Sequence, residues 1–354
     1  MGVRLERRDF AGNSGYEQAG TRRRSRVRFM TLGLQSSYLS GSREGWDSVA
    51  RSIKITLVSP IAQNILVFDK RQTRETMPVR IGAVSYLNTK PLIYSLQKQL
   101  RDDQLKLDLP SRLADQLVAG ELDIALIPSV EYFRNSSELA IVSDACIACQ
   151  GAVRSVQLLF QKPPTQVRTL ALDEGSRTSA VLAQVLLFER FRVQPNCQFL
   201  AIADDYSNCA ADAVLVIGDR AMNIDRQAYV ECWDLGEHWN RWACLPFVFA
   251  MWVTRQSDLQ RPEIVGAVQR LEECRNAGLQ HLREIATLHA SRHGLTIEDC
   301  MSYFQEQLHF VLGAEEQRGL KLFQETSTRL GLLSMPESVV DPVARFQTVS
   351  TGCD

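Results

Sequence analysis

Gly120-Glu121-Leu122-Asp123-Ile124-Ala125-Leu126-Ile127-Pro128 is the stretch on which the fold turns. Asp123 opens and Pro128 closes a continuous apolar run with no alternation, the pattern of a strand buried on both faces inside a parallel sheet. Just upstream, Val79-Arg80-Ile81-Gly82-Ala83-Val84 reads as a strand. Pro91 suits a first helical turn, because it fixes φ and gives up an N–H that would be unpaired there; that helix is expected to run to about Leu100. A second strand is expected over 105–109, and Ser111 as N-cap of a helix over 112–118 that Gly120 ends. This βαβ order is that of an open α/β sheet.

A second α/β block begins near Pro163. Residues 168–172 read as a strand, followed by the loop 173–179 and an amphipathic helix over 180–191. Ala213-Val214-Leu215-Val216-Ile217 is another buried strand, closed by Gly218-Asp219. The apolar, aromatic stretch 245–253 reads as a strand threading back through a core. Residues 262–333 have helical period almost throughout. Late helices need a sheet to pack on, which predicts a chain that builds most of one lobe, crosses over, builds a second and returns. The crossings are expected near 160–164 and 242–247. Lobe one then comprises 77–161 and 247–335, lobe two 162–246, and 336–354 forms a polar tail. The cleft between the lobes is the natural ligand site, because strand ends and helix N-termini point into it from both sides.

Composition fits this picture. The chain has 354 residues, 45% hydrophobic and 23% charged, which excludes a disordered scaffold, a collagen-like repeat and a disulfide-built miniprotein. No stretch reaches the roughly 18–20 uncharged apolar residues of a membrane helix. The net charge of −1 is unevenly spread: residues 1–76 hold 14 Lys/Arg against 7 Asp/Glu, and the remainder 26 against 34. Arg22-Arg23-Arg24-Ser25-Arg26-Val27-Arg28 looks like the head of an export signal, but the apolar core such a signal needs does not follow. Nor does a nucleic-acid module. Residues 1–76 are therefore expected to lie outside the fold, an N-terminal extension with Met77 as the working start; a strand pair over 53–68 is the competing reading. An odd count of nine cysteines points to reduced thiols in the cytoplasm. Cys146 and Cys149 form a lone CxxC within an apolar run, read as buried small hydrophobes. His289 and His293 stand four apart, but Ala290 replaces the Glu of the zinc-peptidase pattern, so no metal is expected.

Three segments can carry chemistry. In Ser85-Tyr86-Leu87-Asn88-Thr89-Lys90-Pro91, at the carboxyl end of the first strand, Asn88 offers a donor and an acceptor for a substrate hydroxyl; alternatively Asn88 or Thr89 only caps the Pro91 helix. In Glu174-Gly175-Ser176-Arg177-Thr178-Ser179, helix-start amides, hydroxyls and a guanidinium make a cradle for carboxylate or phosphate; alternatively Ser176 or Thr178 is a simple cap. No Walker lysine and no GxGxxG is present. In Gly151-Ala152-Val153-Arg154-Ser155-Val156, Ser155 either faces the cleft as a donor or is an ordinary strand serine. No His–Asp pair accompanies it, so it is not read as an acyl-transfer nucleophile.

Together these segments, with Ser129 in Ile127-Pro128-Ser129-Val130-Glu131-Tyr132, Ile217-Gly218-Asp219 and Leu245-Pro246-Phe247-Val248-Phe249-Ala250-Met251-Trp252, resemble the chorismate dehydratases over about residues 78–334. The resemblance implies the two-lobed fold of type II periplasmic binding proteins, α/β with a cleft between the lobes. It implies a lyase that removes water from chorismate to give 3-[(1-carboxyvinyl)oxy]benzoate, the first step of the futalosine route to menaquinone, with no metal or cofactor. By resemblance Asn88 and Ser155 are catalytic. Ser85, Thr89, Ser129, Ser176, Arg177, Thr178 and Ser179 bind substrate, and Asp219 shapes the cleft floor. The substrate's own enolpyruvyl carboxylate serves as base. Two departures stand out: Ala152 where the family has Pro, and Ala243-Cys244 where it has Thr-Gly. The rival readings are the 1,4-dihydroxy-6-naphthoate synthase of the same pathway, which uses a cleft histidine, and a solute-binding protein without chemistry. The five histidines fall outside the pocket segments, which counts against the synthase. Oligomeric state is not legible in the sequence.

Overall fold

The computed structural model describes residues 78–100 and 104–333; the expectations for 1–76 and for the tail 336–354 lie outside the described residues. The apolar run that opened the reading is β3 (Ile124–Pro128), buried at every position. It runs parallel to β1 (Ile81–Val84), which in turn pairs parallel with β2 (Leu105–Asp108). On its other side β3 lies antiparallel to β10 (Phe247–Arg255), with Met251 opposite Ile127. β4 (Leu139–Cys149) and the short β11 (His309–Val311) complete a six-stranded sheet in the order β11-β4-β10-β3-β1-β2. A second sheet of five strands has the order β7-β6-β8-β5-β9. Its members are β5 (Val156–Phe160), β6 (Thr169–Asp173), β7 (Asn196–Leu200), β8 (Ala213–Ile217) and β9 (Glu231–Asp234).

The first crossing comes earlier than expected. Val156–Phe160 does not finish the first lobe; it lies antiparallel between β8 and β9 in the second sheet. The chain therefore changes sheets at 150–155. Gly151 (φ 106°) and Arg154 (φ 61°) supply the left-handed turns there. A single buried carboxylate pins the turn: Asp234 accepts from the amides of Val153 (3.0 Å) and Arg154 (2.6 Å) and from Gln157 Nε2 (2.9 Å). The same carboxylate caps helix α1 (Leu235–Ala243) through the amides of Gly236 and Glu237. That helix carries the chain back. It ends at Cys244, held left-handed at φ 54°, and β10 begins at Phe247. Around this return, Trp239 packs edge-on against Phe247 and Phe323, with ring centroids 5.1 and 5.8 Å apart.

Several local expectations shift. The Pro91 helix is short: a 3-10 turn occupies Leu87–Thr89 and regular helix only Leu96–Gln99. A Cβ at Gly278 would stand 1.9 Å from the Pro91 carbonyl oxygen, so glycine is what lets the helix Pro262–Gln280 lie directly on this turn. Ser111 sits buried within a helix that starts at Pro110, not at its cap. The helical stretch 262–333 is interrupted by a π-turn, Tyr303–Gln307, and by β11. Cys146 and Cys149 are buried as expected, with burial pushing both thiols well up.

Candidate active site

A cavity opens where the two sheets face each other, at the carboxyl ends of β1, β3, β6 and β8. Tyr86 and Asn88 reach it from the turn after β1, Val153 and Ser155 from the crossing, and Ser176 to Ser179 from the loop and helix after β6. Ile217 at the end of β8, Gly218 just after it and Phe249 on β10 close the remaining sides. The segments expected to carry chemistry therefore converge, which is the usual ligand position in an open α/β sheet.

The polar centre is a chain of side chains. Tyr303, from the π-turn, donates to Ser155 Oγ at 2.9 Å, and both residues are buried. Burial pushes the Tyr303 phenol far up, and hydrogen bonding to Ser155 and Asn88 only partly offsets this. Thr89 donates to Asn88 Oδ1 at 3.2 Å from behind; buried, it does not line the cavity. Opposite, helix α2 (Arg177–Phe191) starts at the cavity wall. Ser176 precedes it without capping it, and its buried hydroxyl has no partner among the described residues. The first amides of a helix and an uncommitted hydroxyl are neutral groups able to hold an anion.

Other expected residues take different positions. The Arg177 guanidinium is not free for a substrate carboxylate. It grips Asp115 with two hydrogen bonds (2.7 and 2.8 Å) and stands 3.3 Å from Glu131. Both acids belong to the first-sheet lobe, so Arg177 ties the lobes together. Thr178 and Ser179 line the cavity. Ser129 lies behind it, donating to the Val248 carbonyl (3.0 Å) and 3.4 Å from Thr178 Oγ1. Ser85 is exposed and stands outside the lining. Asp219 does not form the cavity floor; it accepts from the Leu87 amide (3.0 Å) and lies 3.2 Å from His293 Nδ1. One histidine therefore does approach an expected site residue, contrary to the sequence reading, although His293 does not line the cavity.

Three residues escaped the sequence reading: Tyr303, Tyr86 and Asp234. Tyr86 presses on the second lobe, where a Cβ at Gly218 would stand 2.8 Å from its ring. Its buried hydroxyl has no partner among the described residues. Burial, with Asp173 and Asp219 nearby, pushes that phenol up. Asp173 anchors the anion loop by accepting from the Gly175 amide (3.0 Å) and Arg220 Nε (3.2 Å). Burial raises its carboxyl despite these partners.

The space between these side chains is about 60 Å³, far below the roughly 300 Å³ at which small-molecule sites begin. A ring-sized ligand thus needs more room than these side chains leave, beside a seam that the Arg177–Asp115 and Arg112–Glu174 (2.5 Å) pairs bridge. Among the described residues, no group of three His, Cys, Asp or Glu could hold a metal ion, and no helix is long and apolar enough to cross a membrane.

Comparison with known proteins agrees with this architecture. Two solved structures share the fold: a protein of Archaeoglobus fulgidus (TM-score 0.52, 13% identity, 73% of this chain and 100% of that one) and the alkanesulfonate-binding protein SsuA of Xanthomonas axonopodis pv. citri bound to MOPS (TM-score 0.53, 12% identity, 73% and 94%). The chain thus has the two-lobed fold of periplasmic binding proteins. Among curated relatives, chorismate dehydratase of Thermus thermophilus is 30% identical over 281 residues, covering 73% of this chain and 97% of that protein. Chorismate dehydratase of Campylobacter jejuni is 25% identical over 260 residues, covering 71% and 98%. The model of a family described as menaquinone biosynthesis matches residues 79–328. On fold, length and sequence together, the chain belongs to this menaquinone-biosynthesis family, alongside the chorismate dehydratases.

Proposed function

We propose that the protein removes water from chorismate to give 3-[(1-carboxyvinyl)oxy]benzoate, with Asn88 and Ser155 at the reacting centre. The observation that carries this reading is that both residues, far apart in sequence, line one cavity, with Tyr303 hydrogen-bonded to Ser155 beside it. Loss of the ring C3 proton and the C4 hydroxyl creates an aromatic ring, so the reaction is downhill once the leaving group departs. The enzyme has to fix two carboxylates, exclude water and assist hydroxide. Ser176, Thr178, Ser179 and the first amides of α2 take one carboxylate. Ser155 and Asn88 meet the C4 hydroxyl and stabilise the charge that builds on it. The enolpyruvyl carboxylate takes the C3 proton, which fits a cavity lined by no histidine, aspartate or glutamate. Much of the acceleration then comes from holding base and leaving group in register. Arg177 acts by closing the lobes rather than by touching the substrate. The cytoplasm, where chorismate is available, is the place of action.

The test is to incubate the full chain with chorismate and follow the rise of aromatic absorbance. Asn88→Ala and Ser155→Ala should each lose about 100-fold or more in kcat, on the scale of removing one transition-state donor, with far-UV spectra unchanged. Wild-type rates in both variants would remove these roles. Binding of chorismate without turnover by the wild-type chain would favour the solute-binding reading, and no binding the naphthoate synthase.

A further inference from the structure

The π-turn Tyr303–Gln307 reaches the edge of the cavity through the Tyr303–Ser155 hydrogen bond, and π-turns inside helical segments often occur at functional sites. Tyr303 is 1% exposed. Its phenol has one proton to give, and the acceptor 2.9 Å away is Ser155 Oγ. On the far side, Thr89 donates to Asn88 Oδ1, and the Asn88 side chain also hydrogen-bonds the Tyr303 phenol, holding its pKa down in part. Among the described residues, no acceptor is placed for the Ser155 hydroxyl proton, and Ser155 lines the cavity.

We infer that Tyr303 is a positioning residue: the hydrogen bonds run one way, Thr89 to Asn88 to Tyr303 to Ser155, and leave the Ser155 proton pointing into the cavity. A serine hydroxyl can rotate, donating in one orientation and accepting in another. With its lone pair held by Tyr303, Ser155 presents a donor to whatever oxygen occupies the cavity centre. That polarity suits a departing hydroxyl, so the inference rests on the dehydratase reading. The phenol stays protonated because burial drives its pKa upward, and the orientation therefore persists across the working pH range. The alternative is that Tyr303 is a core tyrosine whose hydroxyl merely found a partner.

A double-mutant cycle separates the two. Turnover of chorismate is measured for the wild type, Tyr303→Phe, Ser155→Ala and the double variant. Tyr303→Phe keeps the ring and removes one oxygen; it is expected to lower kcat about 10- to 100-fold, short of the loss from removing a direct donor, while KM stays within about twofold. In the Ser155→Ala background the same change should cost nothing further. Melting of all four proteins shows whether each is folded, and Ser155→Thr, which retains the hydroxyl, provides a second route: it should keep its dependence on Tyr303. An equal Tyr303→Phe penalty in both serine backgrounds, or no penalty in either, overturns the relay and leaves the dehydratase reading standing. Absence of turnover by the wild-type protein overturns both.

Discussion

Replacing Asp234 by Ala tests whether the crossing turn, and with it Ser155, is held by one carboxylate. In the fold this group serves five donors: the amides of Val153, Arg154, Gly236 and Glu237, and Gln157 Nε2. Loss of the cap on α1 alone costs about 1 kcal/mol. Each further hydrogen bond to a charged group is worth about 1.5–3 kcal/mol, though neighbouring bonds do not add in full. Against this, the fold no longer has to bury a charge, and that burial cost is real, since it raises the Asp234 carboxyl despite all its donors. The balance is a destabilisation of about 4 kcal/mol, or roughly 10 °C in Tm for a chain of this size. Asp234→Asn keeps the shape but turns an N–H toward other N–H groups, and should lose about half as much. Urea unfolding gives the stability. Under conditions where the variant is folded, kcat should fall more than KM rises, because the loosened turn carries Ser155. A loss below about 1 kcal/mol in Asp234→Ala would show that water or backbone shifts satisfy the turn, and would refute the reasoning.

If Arg177 closes the lobes through Asp115, then Arg177→Ala and Asp115→Asn should raise KM by similar factors, about fivefold or less for a partly exposed pair, and less so in high salt; an effect of Arg177→Ala with none from Asp115→Asn would put the guanidinium on the substrate instead. His238, stacked on Trp233 and receiving a hydrogen bond from Arg190, is held down to about 4 by burial and by Arg190, Arg241 and Arg226. Neutral in the fold but protonated in the unfolded chain below about 6.5, it makes stability full above that pH and declining as pH falls toward 4, by at most about 3 kcal/mol; His238→Gln should flatten that slope in unfolding curves taken from pH 7 to 5, and an unchanged slope would exclude His238 as its source. Cys244→Gly, at φ 54°, should relieve left-handed strain and stabilise by about 1 kcal/mol, read as a rise in Tm; a fall would mean the cysteine makes a compensating contact.

Strands with unbroken apolar runs were legible because the runs are too short for a buried helix and are bounded by turn residues: β3 and β8 stand where their residues predict. Register between lobes was not. Val156–Phe160 is as apolar as a strand of either sheet, and only the left-handed Arg154 and the distant Asp234 decide which one it joins. Arg177 read as an anion ligand because its neighbours are hydroxyls and helix-start amides; its true partners, Asp115 and Glu131, come from the other lobe. Tyr303 lies 148 residues from Ser155, inside a helical stretch whose period gives no sign of a π-turn. The site's framework was thus visible from local pattern, while its wiring depends on contacts that local pattern does not encode.

The neutral character of the anion site bears on turnover. Substrate and product both carry two carboxylates, so a free guanidinium in the cavity would hold the product as firmly as the substrate and slow its release. Interactions common to both states do not speed the chemical step; those specific to the transition state do. With Arg177 balanced by two acids outside the reacting centre, the carboxylates are met by amides and hydroxyls. On the proposed reading, Ser155 and Asn88 are the groups that meet the C4 oxygen, and so they sense a group that the reaction removes. Apolar walls from Val84, Ile147, Val156 and Phe249 strengthen those few hydrogen bonds by excluding water.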